Sequence, residues 1–417
     1  MTIETDYGRV PMEAPVETAV PRRRATIGLP KCVNRAEKRF PLTPEAVAAL
    51  TRNGFRVLIE EGAAASIHYN DNAYIKAGGR RASRHETLQA DIVIHLAPLP
   101  VDDIKQLRRG ALLLSLANLS RGNAREVIAE LLHRRVINIA IDLIRDDAGN
   151  RPFGDIISEL DGRSAMTLAA AMLADPVNGK GILLGGIAGV VPCEVTIIGS
   201  CLAACAAARS ALGLGAVVRM FDDDVYRLRT ALRQLGGGVI GSSVHQHALE
   251  NALRSADVII ITGKGGPLPL EGNIECILKR KALVFDLSCN PGTAFAGMRL
   301  VDLGEFGDED ARRATSFALF NDACSFGEGG PAANVRRRAC LVNSGSAVPR
   351  TTAMALSDTF ITLLNHISDC EGTGAMLPLT PGLQEATLTF MGKAVNEEVA
   401  HLAGVRHTDI RILLSLS

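Results

Sequence analysis

Residues 197–223 carry most of the features of a dinucleotide-binding turn. Gly199 ends an apolar run, and Ala204 stands where the G-x-G-x-x-G pattern needs a small residue for close helix–strand packing. Asp222 follows the next apolar run, in the place of the acid that accepts hydrogen bonds from ribose hydroxyls. Cys201, however, puts a side chain where the pattern keeps the backbone bare beside the pyrophosphate. The segment therefore predicts either a Rossmann unit that binds a dinucleotide with an altered phosphate contact, or an α/β unit that kept this packing and lost its ligand.

Two other residue pairs are spaced so that they could form a redox-active or a metal-binding site. Cys201 would begin a helix, where a thiol can become reactive, and Cys205 lies one turn further on. A redox role for these cysteines stays open beside ordinary packing of small side chains. His245 and His247 alternate on a loop without a third ligand nearby, so we expect no metal site there.

The composition limits the class of protein. A chain of 417 residues, 47% of them hydrophobic, is long enough for two or three domains with sizeable cores. The 45 basic and 45 acidic residues give zero net charge, which argues against a nucleic-acid partner or an anionic membrane. No apolar run approaches the roughly 20 residues of a membrane helix. Nine scattered cysteines and a polar N-terminus without a signal peptide predict reduced thiols and a cytoplasmic location.

Apolar runs alternate with helical patterns along most of the chain, which predicts an α/β fold with mostly parallel sheets. A helix should begin at Thr43-Pro44-Glu45, a long one should cover 158–174, and another should follow Pro349. The predicted strands are 26–29, 56–60, 91–96, 111–116, 136–141, 195–199, 216–221, 257–262 and 282–287. We expect a flexible arm over 1–24, and the C-terminal part should return to the first domain.

Five motifs, in order and spacing, give the chain a family resemblance. It resembles the alanine dehydrogenase and nicotinamide-nucleotide transhydrogenase α-chain family, and alanine dehydrogenase most closely. The motifs lie at 27–31, 37–47, 157–163, 184–192 and 342–352. The resemblance implies a Rossmann NAD-binding domain (151–348) inserted in a split α/β substrate domain (25–150 and 349–417). It also implies a small amino or keto acid as substrate, NAD as cofactor and a homo-oligomer, often a hexamer. The stretch 296–335 is longer than the family pattern.

The resemblance assigns catalytic positions, several of which are substituted here. Arg39 matches the family arginine that clamps the substrate carboxylate, and its planar fork suits that task. Ala97 stands where the family has a catalytic lysine; His95, two residues earlier, would share its strand face. Asn118 replaces the family histidine and Asn290 the family aspartate, and neither amide can carry a proton.

This chain matches the family pattern more closely at the cofactor-binding positions than at the proton-transfer positions. Ser158 and Asn343 match family residues near the nicotinamide and phosphates. Losing one acid–base group typically lowers the rate by about 10²–10⁴. The resemblance thus implies alanine dehydrogenase activity, and the substitutions predict that it is impaired. Two alternatives remain: a catalytically lapsed binding or regulatory protein, and a different reductase that kept the hydride site.

Overall fold

The computed structural model describes residues 25–117, 124–176, 179–270, 277–295, 298–304, 339–369 and 380–415. The predicted arm over 1–24 and most of the long stretch 296–335 lie outside these residues.

Fifteen strands and thirteen α-helices make up the described part of the chain. The strands are β1 (Thr26–Leu29), β2 (Arg56–Glu60), β3 (Arg80–Ala82), β4 (Ile92–Ile94), β5 (Leu112–Ser115), β6 (Ile137–Ala140), β7 (Glu194–Ile198), β8 (Val217–Asp222), β9 (Val239–Ser243), β10 (Val258–Ile261), β11 (Leu283–Asp286), β12 (Arg299–Asp302), β13 (Ala339–Val342), β14 (Thr387–Phe390) and β15 (Lys393–Ala394). The helices are α1 (Pro44–Arg52), α2 (Asp71–Lys76), α3 (Arg84–Leu88), α4 (Val101–Ile104), α5 (Ala124–His133), α6 (Pro152–Ala174), α7 (Leu202–Gly213), α8 (Val225–Leu235), α9 (Gln246–Ser255), α10 (Pro349–Asp369), α11 (Pro381–Ala386), α12 (Glu397–Ala403) and α13 (Ile410–Ser415).

The first sheet is built from both ends of the chain. Its order is β15-β14-β6-β5-β4-β1-β2-β3. Strands β1 to β6 run parallel, and β14 adds antiparallel to β6. The core strands are apolar on both faces, as expected for a parallel sheet covered by helices. The predicted return of the C-terminal part to the first domain is therefore confirmed.

The second sheet is entirely parallel and has the order β12-β13-β11-β10-β7-β8-β9. The chain leaves β7 toward β8 and β9 on one side, and later fills the other side from β10 onward. Such a reversal opens a crevice at the carboxyl ends of the strands, where open α/β sheets bind their ligands.

Helix α6 joins the two units. Near its start Phe153 packs on Phe360 of α10 in the first core, with ring centroids 4.8 Å apart. Further on, Ala165 belongs to the second core. At Gly162 an added Cβ would lie 2.2 Å from the carbonyl oxygen of Ala203 in α7, so only glycine allows the two helices to pack this closely. One continuous helix thus fixes the position of the second sheet relative to the first.

The expected fold class, two α/β units with a Rossmann unit inserted in a split domain, is confirmed. Helix α1 begins as predicted, with the Thr43 side chain accepting from the backbone N–H of Ala46 and Pro44 in the first turn. The long helix begins at Pro152 rather than at 158. No helix in the described part of the chain is both long and apolar enough to cross a bilayer.

Candidate functional site

A cleft of about 210 Å³ lies between the carboxyl ends of strands from the two sheets. The first sheet contributes the loops after β1, β5 and β6, the second sheet those after β11 and β13, and α6 forms part of the wall. Its polar lining consists of Arg39, Asp142, Asp161, Asp286, Ser288 and Asn343. The cleft therefore brings one guanidinium and three carboxylates to the place where the two units meet.

Arg39 is held by an acid from its own loop. Its Nε donates to Oε1 of Glu37 at 2.8 Å, and its Nη2 donates to Oε2 at 2.6 Å. The two side chains are only 9% and 7% exposed. Burial raises the pKa of Glu37, but the Arg39 guanidinium outweighs burial and leaves that pKa below its usual value. Two of the three nitrogens of the predicted carboxylate clamp are thus already engaged.

Asp161 places a second carboxylate beside Arg39. Its Oδ1 accepts from the backbone N–H of Gly345 at 3.0 Å, at the start of the turn that follows Asn343. An added Cβ on Gly345 would lie 2.2 Å from that oxygen, so glycine allows this close approach of the turn without a shift of the Asp161 carboxylate. Burial raises the pKa of Asp161, Arg39 lowers it, and the net pKa is raised.

Two further acids line the cleft from opposite sheets. Asp142 follows β6, and its Oδ1 accepts from the backbone N–H of Ala117 at 2.7 Å. Burial raises the pKa of Asp142 more than this hydrogen bond lowers it. Asp286 ends β11 and accepts with one oxygen from the Ser288 N–H at 3.0 Å and with the other from the Gly292 N–H at 2.8 Å. Asp286 therefore shapes the loop that closes the cleft.

Sequence reasoning missed all three cleft aspartates. A signal was present for Asp142 and Asp286, since both lie at the carboxyl ends of buried parallel strands, where ligands gather in such sheets. Asp161 stands in the middle of a helix, and although the motif at 157–163 contains it, the residue types and spacing there do not mark it as a cleft acid.

His95 lies outside this lining. It is buried just after β4, and its Nδ1 is 2.5 Å from the carbonyl oxygen of Ala97. Its Nε2 is buried without a hydrogen-bond partner among the described residues, and burial lowers the pKa of the ring. His95 is thus a buried residue near enough to Glu37 to affect its pKa, and it does not line the cleft.

Asn290, at one of the substituted positions, does not line the described cleft. Asn290 is exposed, and its Nδ2 donates to the carbonyl oxygen of Lys264 at 3.1 Å. Its neighbour Pro291 lines the cleft instead. Asn118 lies outside the described residues.

The turn after β7 has the backbone of a phosphate-binding loop. Gly199 has φ +98°, and an added Cβ would lie 2.3 Å from Oγ1 of Thr262. Cys201 is the N-cap of α7, but its side chain caps no backbone N–H. The first N–H groups of this twelve-residue helix are thus left for an anion, which a helix N-terminus favours. The exposed Cys201 side chain stands at the same point.

Asp222 stands at the end of β8 as predicted but already has partners. Its Oδ2 accepts from Oγ of Ser200 at 2.6 Å, and its Oδ1 accepts from the Asp224 N–H at 2.8 Å. Arg227 Nη2 also donates to Oδ1, at 2.9 Å. A ribose would share this carboxylate with protein donors. The strand, turn, helix and acid therefore fit a dinucleotide. The Cys201 side chain and the protein donors to Asp222 are the two features that differ from the usual dinucleotide-binding pattern.

The remaining predicted cofactor residues lie either at the wall of the cleft or in the core of the second unit. Asn343 lines the cleft with φ +61°, and its Nδ2 donates at 2.9 Å to the carbonyl oxygen of Ala36 and to Oδ1 of Asp302. It thus ties the second sheet to the loop that carries Arg39. Ser158 is partly buried on α6, next to the cleft residue Ile157. Ala204 is fully buried in the second core, as close helix–strand packing requires.

No group of three histidine, cysteine or acidic side chains within the described ranges could hold a metal ion. His245 is the N-cap of α9, and its Nε2 lies 3.0 Å from Oγ of Ser243.

Two family models match the chain. The model "Alanine dehydrogenase/PNT, N-terminal domain" matches residues 28–153, and "Alanine dehydrogenase/PNT, C-terminal domain" matches residues 165–309. The two models thus cover the first sheet up to β6 and most of the second sheet.

Curated relatives and solved structures agree with these models. Alanine dehydrogenase of Mycobacterium tuberculosis (strain H37Rv) is 26% identical over 389 residues, which span 92% of this chain and 98% of the relative. Alanine dehydrogenase of Geobacillus stearothermophilus is 28% identical over 392 residues, 93% and 99% of the two chains. A solved L-alanine dehydrogenase superposes with a TM-score of 0.75 at 22% identity, covering 90% of this chain and 98% of its own. A transhydrogenase from Sinorhizobium meliloti gives a TM-score of 0.67 at 19% identity, covering 89% and 99%.

Proposed function

We propose, since this chain belongs to the alanine dehydrogenase/PNT family, that it is an NAD-dependent oxidoreductase acting on a small amino acid and its keto acid. The reaction is that of the curated relatives: L-alanine, NAD⁺ and water give pyruvate, ammonium, NADH and a proton. The observation that carries this proposal is the cleft. It combines the arginine of the first sheet with the strand ends of a Rossmann unit, and the dinucleotide turn opens at the carboxyl edge of the same second sheet.

The turn after β7 would hold NAD. When bound, NAD⁺ accepts a hydride from the substrate Cα. The uncapped N–H groups of α7 favour the pyrophosphate, and Asp222 stands where it can accept from the adenosine ribose. Three acids in succession, Asp222 to Asp224, would repel a 2′-phosphate, so NAD is favoured over NADP.

Arg39 would orient the substrate carboxylate in this proposal. Nε and Nη2 are taken by Glu37, so the nitrogen left for a substrate is Nη1. Burial lowers the pKa of the Arg39 guanidinium, but Glu37, with the added negative charge of Asp161 and Asp302, outweighs burial and raises that pKa. A carboxylate thus meets a weaker clamp than an unpaired arginine would offer, which supports an impaired activity.

Titration of the purified protein with NADH, followed by nicotinamide fluorescence, tests the cofactor half of this proposal. Saturable enhancement is expected. The absence of a signal at millimolar NADH contradicts it.

One observation favours a second candidate function. The guanidinium is neutralised by Glu37, and three more carboxylates line the cleft. A family member that had lost turnover could keep this shell as a binding or regulatory protein. NADH binding without turnover of any small amino or keto acid, in either direction, would select this candidate or the different reductase.

We also propose that the protein is a homo-oligomer. The segment before β7 folds into a small hairpin, with a bridge between Ile187 and Val190, that leaves large aliphatic side chains in solvent. Val191 is 87% exposed, and Leu183, Ile187 and Val190 are more than half exposed. Clusters of this kind mark interaction surfaces more often than free surface. Light scattering should give a mass several times that of one chain, and Val191→Glu should reduce it.

A further inference from the structure

The cleft contains an aspartate that is placed to exchange protons. Asp142 lies in the 3₁₀ turn directly after β6, at the carboxyl edge of the first sheet. Its Oδ1 accepts from the Ala117 N–H. A hydrogen bond from its own backbone N–H also reaches the carboxyl group, and the side chain lines the cavity. Backbone N–H groups thus fix the orientation of a carboxyl group that borders the space that a substrate would occupy.

The other two cleft carboxylates are less suited to this task. Both oxygens of Asp286 accept backbone N–H groups, which leaves that carboxylate committed to its loop. Asp161 holds the Gly345 N–H and stands beside Arg39, whose charge it offsets. Asp142 combines an orientation fixed by the Ala117 N–H with a place in the cleft lining and no direct ion pair among the described residues.

Charged groups on several elements surround Asp142. Arg151, at the start of α6, and Arg39 both lower its pKa, whereas burial raises it and prevails. Cys289, in the loop after β11, lies near enough to Asp142 and Arg151 for its own pKa to respond to both. Asp161 and Asp286 complete the lining. A carboxyl group in this setting gives up its proton nearer to neutral pH than an exposed one, as general acid–base catalysis requires.

We propose that Asp142 is the catalytic acid–base residue of this cleft, in place of the proton carriers missing at Asn118 and Asn290. The inference rests on the proposed function. The Cα hydride would pass with its electron pair to bound NAD⁺ from the substrate amine, which has lost one proton to solvent, and the product is an iminium ion. Water adds to the iminium carbon while the Asp142 carboxylate takes one proton from it, which gives a neutral carbinolamine. Asp142 returns that proton to the amine nitrogen, and as the C–N bond breaks the carbinolamine hydroxyl loses its proton to the carboxylate. The keto acid and ammonia leave, and protonated Asp142 passes its proton to ammonia, which restores the carboxylate.

The experiment compares Asp142→Asn, Asp142→Glu and wild type. Asparagine keeps an acceptor for the Ala117 N–H but holds no proton, so kcat should fall by about 10²–10⁴ while NADH affinity stays within about twofold. Glutamate should restore part of the rate. Asp147→Asn is the matched control, because Asp147 is exposed in the next turn. A second readout is independent of turnover: a ¹³C-carboxyl NMR titration, with the Asp142 signal assigned from its loss in Asp142→Asn, should show a raised pKa.

Each of the following outcomes either supports or overturns the proposed role of Asp142. A variant Asp142→Asn that keeps its rate overturns the inference and leaves the proposed function standing. An Asp142 carboxyl that titrates at or below the usual aspartate pKa also overturns it, with or without activity. A wild-type protein that binds NADH and turns over nothing contradicts the proposed function, and the catalytic role of Asp142 fails with it. A lower kcat together with a raised pKa and unchanged NADH affinity supports it.

Discussion

The carboxylate of Glu37 grips the guanidinium of Arg39 through two parallel hydrogen bonds, 2.8 and 2.6 Å long, inside the wall of the cleft. A bidentate pair of this kind is strong and geometrically specific. It fixes the orientation of the residue expected to bind a substrate carboxylate, and at the same time it offsets the charge that would attract one.

Glu37→Gln should destabilise the protein. The substitution leaves the buried guanidinium without its charged partner on the same loop, and we expect the free energy of unfolding to fall by on the order of 3 kcal/mol. Urea denaturation measures this. Glu61→Gln is the control, since Glu61 is 74% exposed and lies 3.5 Å from Arg81; that change should stay below about 0.5 kcal/mol. Equal changes in the free energy of unfolding for the two substitutions would show that the buried pair contributes no more to stability than the exposed one.

Asp161→Asn should strengthen binding of a small carboxylate. Asparagine can still accept from the Gly345 N–H but removes a negative charge beside Arg39. With NADH bound, the affinity for pyruvate should rise on the order of tenfold, because a like charge near the clamp is gone. Glu159→Gln, on the exposed face of the same helix, should leave the affinity unchanged. Weaker pyruvate binding in Asp161→Asn would mean that Asp161 itself contacts the substrate.

Asp142→Asn should make stability less dependent on pH. Burial raises the pKa of Asp142 in the folded state, so between the unfolded and folded pKa values the native protein binds more protons than the unfolded chain. Wild-type stability therefore falls as pH rises through the folded pKa and is unaffected by this group below the unfolded pKa. The variant should gain stability over wild type at about pH 8 and lose that gain near pH 3. A gain of the same size at both pH values would exclude Asp142 as its source.

Cys201→Gly should tighten NADH binding. Glycine is tolerated at an N-cap at a loss of only a few tenths of a kcal/mol, and it removes the side chain from the point of closest approach to the pyrophosphate. Fluorescence titration should show a lower Kd than wild type. Cys32→Ala serves as control, because Cys32 lies in the loop after β1 rather than in the nucleotide turn. An unchanged Kd in Cys201→Gly would show that Cys201 is not the obstacle.

Local patterns were enough to predict the framework of the fold. β1 and β2 have the predicted bounds, because buried parallel strands are short apolar runs between polar turns. Helix α1 was predictable from Thr43 and Pro44 alone. Short or partly polar strands such as β3 and β15 were missed, since two or three residues carry no measurable periodicity.

The side chains that line the cleft are brought together by contacts between residues far apart in the chain, and no local sequence pattern records such contacts. Asp161 and Gly345 are 184 positions apart in the chain, yet they share a hydrogen bond. The pairing of Arg39 with Glu37 was easier to predict from the sequence. The two residues are separated by a single position, and an acid so near an arginine can form an ion pair with it. A motif match gives a residue its place in a family pattern, whereas its partners in the folded chain decide what charge it presents.

We propose that this cleft carries out amino-acid dehydrogenase chemistry. NADH consumption by the purified protein in the presence of pyruvate and ammonium tests this proposal, with Asp142→Asn measured in parallel. We expect slow but clear oxidation of NADH that requires both co-substrates and is lost in the variant. No oxidation by the wild-type protein, at NADH concentrations that saturate its fluorescence, would contradict the claim.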